Sequence, residues 1–323
     1  MASVPYSRYI VFPVTWYSFL IMTGIIAAVF LASREARKSN LPDDTVIDLS
    51  LWIIPFGIIG ARLYYVIFSW NHFSNNLLSI LKVWEGGLAI YGGVIAGMIV
   101  LFIFSRKRRI PLLKLCDIVV PGLVLAQSIG RWGNWFNMEA YGLTVHSETF
   151  CFFPFAVQIP ADHYSWHLAT FFYESLWDFC IFIFLLLSRR RMLTETGDVF
   201  FVYLFLYSAG RLFIEELRLD SLYASSIRIS QLLSVIICIM IFIRYTVSAQ
   251  KNRSLSSAIH FPLFLFSSLY TLSVLLYTLC HSLFAEIRHF TIILVLLFYS
   301  ILIILHFFFI FLCGRKNNAD NPV

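Results

Sequence analysis

The stretch Gln127-Ser-Ile-Gly-Arg-Trp-Gly-Asn-Trp-Phe-Asn-Met-Glu-Ala-Tyr-Gly142 places an arginine, two asparagines and a glutamate at the end of an apolar run that reads as lipid-buried helix. At helical pitch Arg131, Asn134 and Asn137 are offset by roughly 60° in turn and make one polar stripe. A guanidinium inside a bilayer costs a few kcal/mol on insertion scales, so Arg131 must face a cavity or a partner and not acyl chains. Two readings stand: a functional site, or a structural arginine tied to a helix carboxylate. Gly130 and Gly133 weaken the helix but let another backbone or a ligand headgroup come close.

Composition sets the class. Of 323 residues 59% are hydrophobic and 13% charged, and the mean hydropathy is +0.80, which excludes an ordinary soluble globule and points to an all-α, polytopic membrane protein. No charged segment with a cleavage site precedes the first apolar run, so that run is expected to be an anchor and not a removed signal peptide. The six cysteines show no CxxC or Cys/His spacing and mostly sit in apolar runs, so they read as buried fillers, with no metal site and no cofactor. The net charge of +6 would be a nucleic-acid signal if the basic residues were clustered; they lie in short loops between helices instead, so no nucleic-acid partner is expected.

Apolar runs of spanning length fall at about 14–32, 46–70, 87–104, 115–136, 169–188, 198–217, 229–248, 261–284 and 290–313, each near the ~20 residues that a bilayer core requires. In alternate loops the Lys and Arg residues number 16 against 5, which predicts an external N-terminus and a cytoplasmic C-terminus. The three remaining cations, Arg62, Arg131 and Arg211, lie inside spans, roughly 20 to 24 Å from the cytoplasmic start of each helix. A shared depth on three helices predicts one anion-binding cavity opening to the outer leaflet.

Trp84-Glu-Gly-Gly-Leu-Ala-Ile-Tyr-Gly-Gly93 opens the third span, with glycines that suit either helix packing or ligand approach and with Tyr91 near the arginine level. Residues 138–168 carry no Lys or Arg and read either as a lid along the membrane surface or as a passive connector. In Tyr207-Ser-Ala-Gly-Arg-Leu-Phe-Ile-Glu-Glu-Leu-Arg218, the residues Tyr207, Arg211, Glu215 and Arg218 share an arc of about 80°. Arg211 with Glu215 and Glu215 with Arg218 are then expected pairs, in a structural ion ladder or in a site. Gln231 opens the seventh span as a polar residue. Residues 251–323, with two further spans, carry no assigned chemistry.

Several of these segments together resemble the prolipoprotein diacylglyceryl transferase family: Val14-Thr-Trp-Tyr17, Gly60-Ala-Arg-Leu-Tyr-Tyr-Val66, Trp84 to Gly93, Gly130 to Gly142, Phe171-Phe-Tyr-Glu174, Tyr207 to Arg218 and Ser230-Gln-Leu-Leu-Ser234. The likeness covers roughly residues 10–250, implying a transferase domain over 1–250 with seven helices and an added two-helix extension over 251–323. It implies an enzyme of the bacterial cell membrane that moves the diacylglyceryl group of phosphatidylglycerol onto the lipobox cysteine of a prolipoprotein, forming a thioether and releasing glycerol 1-phosphate. It also implies catalytic roles for Arg131, Arg211, Glu139 and Tyr91, and substrate-binding or supporting roles for Arg62, Asn134, Asn137, Tyr207, Glu215, Arg218, Tyr17 and Gln231. Many members carry His where this chain has Tyr91, and the family's His-Pro-x-x-x-Tyr-Glu is here Leu168-Ala-Thr-Phe-Phe-Tyr-Glu174, with His167 one position early. The general base is therefore sought among Glu139, Tyr91 and His167, in that order. The rival readings are a transporter or flippase for an anionic lipid and an inactive paralogue that binds lipoprotein precursors.

Overall fold

A computed structural model describes residues 8–251 apart from 13, 146–147, 190–192, 194, 221–222 and 225–226. Seven long helices organise these residues: α1 (Trp16–Lys38), α2 (Thr45–Phe68), α3 (Ile90–Arg108), α4 (Leu112–Asn137), α5 (Thr170–Ser188), α6 (Asp198–Leu217) and α7 (Ile229–Lys251). The first five are long and apolar enough to cross a membrane. The spans expected at 261–284 and 290–313 lie outside the described residues. Helix α1 runs past its predicted end at residue 32 because Arg34 to Lys38 are good helix formers, with Lys38 paired to Glu35 at 2.6 Å one turn back.

The described residues fall into two compact units, Ile25–Leu123 and the remainder. In the first unit α2 packs closely on α3 because glycines remove the side chains between them. A β-carbon on Gly92 would run into the Gly60 carbonyl, and one on Gly60 would stand 2.7 Å from the Gly92 carbonyl. The glycines at 92 and 93 therefore serve helix packing. Gly86 and Gly87 do something else: both have positive φ (93° and 71°), bending the segment so that its carbonyls turn inward.

Those carbonyls meet Arg62, which is 6% exposed. Its Nε donates to Ile80 O (2.9 Å), Nη1 to Gly86 O and Gly87 O (2.6 and 3.0 Å), and Nη2 to Ser79 O and Lys82 O (2.7 and 3.3 Å). A guanidinium has five N–H donors, and all five are engaged. This corrects the expectation of an Arg62 that binds a headgroup in a cavity shared with Arg131 and Arg211: no donor is left, and the arginine organises the 79–87 segment. Tyr91, in the first turn of α3, packs against the Tyr64 ring at 6.4 Å.

The second unit holds α5, α6 and α7. Ser128 and Ser175 each donate to the other's backbone carbonyl (2.8 and 2.9 Å), fixing α4 against α5 in the interior. Trp177 Nε1 donates to Leu206 O at 3.0 Å, fixing α5 against α6 across Gly210, where any side chain would strike the indole. The described residues of 138–168 carry structure of their own and are not a passive connector. Strands β1 (Ala156–Ile159) and β2 (Ser165–Leu168) pair antiparallel, and Val157, Ile159, Ala169 and Phe171 form a core beneath Trp132 and Trp135.

Replacing Arg62 with Lys removes the fork and two of the five donors. Arg62→Lys is expected to lower thermal stability in detergent and to speed amide exchange across residues 79–89. Unchanged exchange there would contradict the assigned role.

Candidate active site

The centre of the second unit is a single carboxylate. Glu174, one turn into α5 and 3% exposed, forms an ion pair with Arg131 (Nε to Oε2, 2.5 Å), and its Oε1 accepts from Arg211 Nη1 and Arg218 Nη1 at 2.6 and 3.0 Å. Arg131 comes from α4, Arg211 from α6 and Arg218 from the residue that follows α6. Arg211 also pairs with Glu215 at 2.6 Å, the expected i,i+4 partner.

Arg218 differs from expectation. Helix α6 stops at Leu217, and Arg218 is extended (φ −89°, ψ 144°), so the helical spacing that would aim its side chain at Glu215 is lost. Its guanidinium holds Asp220 with two bonds (Nε 2.9 Å, Nη2 2.7 Å) and reaches Glu174 with the third nitrogen. The backbone makes this possible: Leu143 N donates to Leu217 O at 2.9 Å, and Gly142 bridges Arg218, so the 138–168 segment extends the chain where α6 ends.

A small cavity adjoins the cluster, lined by Arg131, Glu174, Trp177, Asp178, Tyr207, Gly210, Arg211 and Ile214. Of these, the Arg131 and Arg211 side chains are partly exposed, at 21% and 17%, and Asp178 is buried at 2%. Among the described residues both terminal nitrogens of Arg131 are without a hydrogen-bond partner. The arrangement can therefore hold an anion: the acids fix the guanidinium groups in place while part of their donor capacity stays open.

Just beyond α4 sits a second acid. Glu139 is exposed, and its Oε1 accepts from Asn134 Nδ2 (3.0 Å) and Asn137 Nδ2 (3.2 Å). Asn137 is held in turn by Arg8 Nε at 3.1 Å. The polar stripe of α4 thus divides, with Arg131 turned to Glu174 and the asparagines turned to Glu139. Tyr17 lies over Gly133, where a β-carbon would come within 2.6 Å of its ring, and it feels the charges of both Glu139 and Arg131.

Two other expected residues lie apart from the cavity lining. His167 is buried in β2, with Nδ1 against Gly142 O at 2.9 Å and Nε2 against Asp162 Oδ2 at 2.7 Å. Both ring nitrogens are engaged, so His167 ties the hairpin together and has no free nitrogen with which to take a proton from a thiol. Gln231 Nε2 donates to Glu216 Oε1 at 2.7 Å and Leu212 O at 3.2 Å, a contact that holds α7 to α6. Sequence reasoning left two acids out of the site, Glu174 and Asp178. Their i,i+4 spacing on an otherwise apolar span is the signal that marks both, because two carboxylates on one buried helix face demand cations opposite.

The family model described as prolipoprotein diacylglyceryl transferase matches residues 5–247. The chain belongs to this family. A relative from Streptococcus mutans named phosphatidylglycerol--prolipoprotein diacylglyceryl transferase is 47% identical over 229 residues, covering 70% of this chain and 88% of its own. Proteins of the same name from Streptococcus agalactiae and Limosilactobacillus reuteri are 43% and 40% identical, each over 89% of its own length. The family match covers the whole arginine cluster, Glu139 and its asparagines, and it ends before the predicted terminal hairpin.

Removing one member of a buried charge cluster leaves the others uncompensated, which typically costs about 3–5 kcal/mol. Glu174→Gln is expected to destabilise the protein by an amount on that scale in chemical unfolding, and more than Glu139→Gln, whose carboxylate is exposed. Equal effects would show that the three guanidinium groups do not depend on Glu174.

Proposed function

We propose that this chain is a membrane transferase that moves the diacylglyceryl group of phosphatidylglycerol onto the lipobox cysteine of a prolipoprotein. The reaction forms a bond between the cysteine sulfur and the glyceryl carbon that bears the phosphate. The carbon–oxygen bond to that phosphate breaks, its electron pair stays on oxygen, and glycerol 1-phosphate departs with one more negative charge; the thiol proton goes to a base. The charge that grows on the phosphate is the feature an enzyme must stabilise.

Fixed guanidinium groups in a low-dielectric pocket do so without reorganising during the reaction. Arg131 and Arg211 clamp the phosphate with the nitrogens left open by Glu174 and Glu215. Arg218, tied to Asp220, completes the positive wall, and Tyr207 lines the same pocket. A free cysteine thiol, with a pKa near 8.5, is mostly protonated at neutral pH, so a base must assist. Glu139 takes that role: one oxygen is oriented by Asn134 and Asn137, and the other has no partner among the described residues. Tyr17 borders this acid. The basic loop residues, 16 against 5, favour a cytoplasmic C-terminus and an external N-terminus.

The observation that carries this reading is the convergence of Arg131, Arg211 and Arg218 on Glu174 beside a shared cavity, in a chain whose family is that of the transferase. The test incubates purified protein with phosphatidylglycerol and a lipobox peptide and measures thioether peptide and glycerol phosphate. Both products are expected, and Arg131→Ala is expected to lower kcat by at least about a hundredfold. Movement of lipid between leaflets without product would favour the flippase, and peptide binding without product would favour the inactive paralogue.

A further inference from the structure

Asp178 lies one helical turn beyond Glu174 on the same face of α5, and the chemistry described above does not use it. It is 2% exposed, and its Oδ2 makes no hydrogen bond among the described residues. A buried carboxylate oxygen without a partner is rare, because leaving it unsatisfied is costly. Asp178 also stands beyond ion-pair distance from Arg131 and Arg211, although all three line the same cavity. Tyr207, whose hydroxyl can both donate and accept, lines the same cavity. The cavity has room for about one water-sized group.

A ligand group that fits there must be small and uncharged, and it must be able both to donate and to accept. An ammonium would meet the two arginines; a second anion would meet the acid. A hydroxyl suits both Asp178 and Tyr207. We propose that this cavity is a hydroxyl-binding subsite in which Asp178 and Tyr207 hold a hydroxyl of the phospholipid headgroup while Arg131 and Arg211 hold its phosphate. Asp178 then acts as a specificity determinant for polyol headgroups, an inference that rests on the proposed function. Water is the other source of a hydroxyl, and the test separates the two.

Full-length protein in detergent is assayed for transfer to a lipobox peptide from phosphatidylglycerol and from phosphatidylpropanol, which keeps the phosphodiester but has no headgroup hydroxyl. The wild type is expected to favour phosphatidylglycerol in kcat/KM by about tenfold or more, the scale of one lost buried hydrogen bond. Asp178→Leu and Asp178→Ala are expected to bring that ratio within about twofold. Asp178→Asn, whose amide still bonds a hydroxyl, retains part of it. A merely structural Asp178 would depress transfer from both lipids alike and leave the ratio unchanged, which would overturn the inference. A wild type that does not distinguish the lipids would mean that the cavity takes only water, and would overturn it equally. No transfer from either lipid by the wild type would instead overturn the proposed function itself.

Discussion

Three guanidinium groups share one carboxylate, and most of the local architecture around Glu174 follows from that constraint. Withdrawing an ion from water costs several kcal/mol even after relaxation, and a buried pair offsets this only when its geometry is good and its remaining hydrogen-bonding groups are met. The cations arrive from α4, from α6 and from the chain just past α6, so α5 must stand at a fixed height and rotation among them. The Ser128–Ser175 pair sets it against α4, and the Trp177–Leu206 bond sets it against α6. Gly210 belongs to the same device, since the indole occupies the space a side chain there would need. Each of these contacts is helix-to-helix packing with a hydrogen bond inside it, a suitable way to hold charge in a bilayer.

The segment between α4 and α5 extends that control beyond the helices. Its hairpin has a core of its own, and its first residues pair with Leu168 on one side and with the end of α6 on the other. Arg218 is thereby drawn out of helical geometry and across to Glu174. His167 supports the same segment by bridging Gly142 and Asp162. The chain length that separates α4 from α5 is therefore occupied by structure that places one of the three cations.

Much of this was legible in the sequence. The seven described helices stand where apolar runs of spanning length predict them, because hydrophobic length is a strong local signal. Arg131, Arg211, Glu215 and the two asparagines announced themselves as polar residues in apolar helices. What could not be read was which partner each would choose. Equal depth grouped Arg62 with Arg131 and Arg211, yet depth says nothing about the backbone carbonyls that a glycine-bent segment turns toward one of them. Helical spacing paired Arg218 with Glu215, yet the helix ends one residue sooner than that spacing requires. Glu174 was visible only as a motif residue and Asp178 was not singled out; the fold shows the first ion-paired with three arginines and the second, among the described residues, with none.

That contrast divides the work among the acids. Neutralising Glu174 would take from Arg131 its carboxylate partner and from Arg211 and Arg218 one of two, so its value lies in staying charged and still while a phosphate comes and goes beside it. Glu139 is the reverse: exposed, oriented through one oxygen by amides that carry no charge, and able to change its charge without stranding a buried cation. An enzyme that must both stabilise a departing phosphate and remove a thiol proton needs those properties in different residues, since one carboxylate cannot anchor cations and take up a proton at the same moment. The Gly130 to Gly142 block serves both ends, carrying Arg131 to the first acid and the asparagines to the second within less than two helical turns.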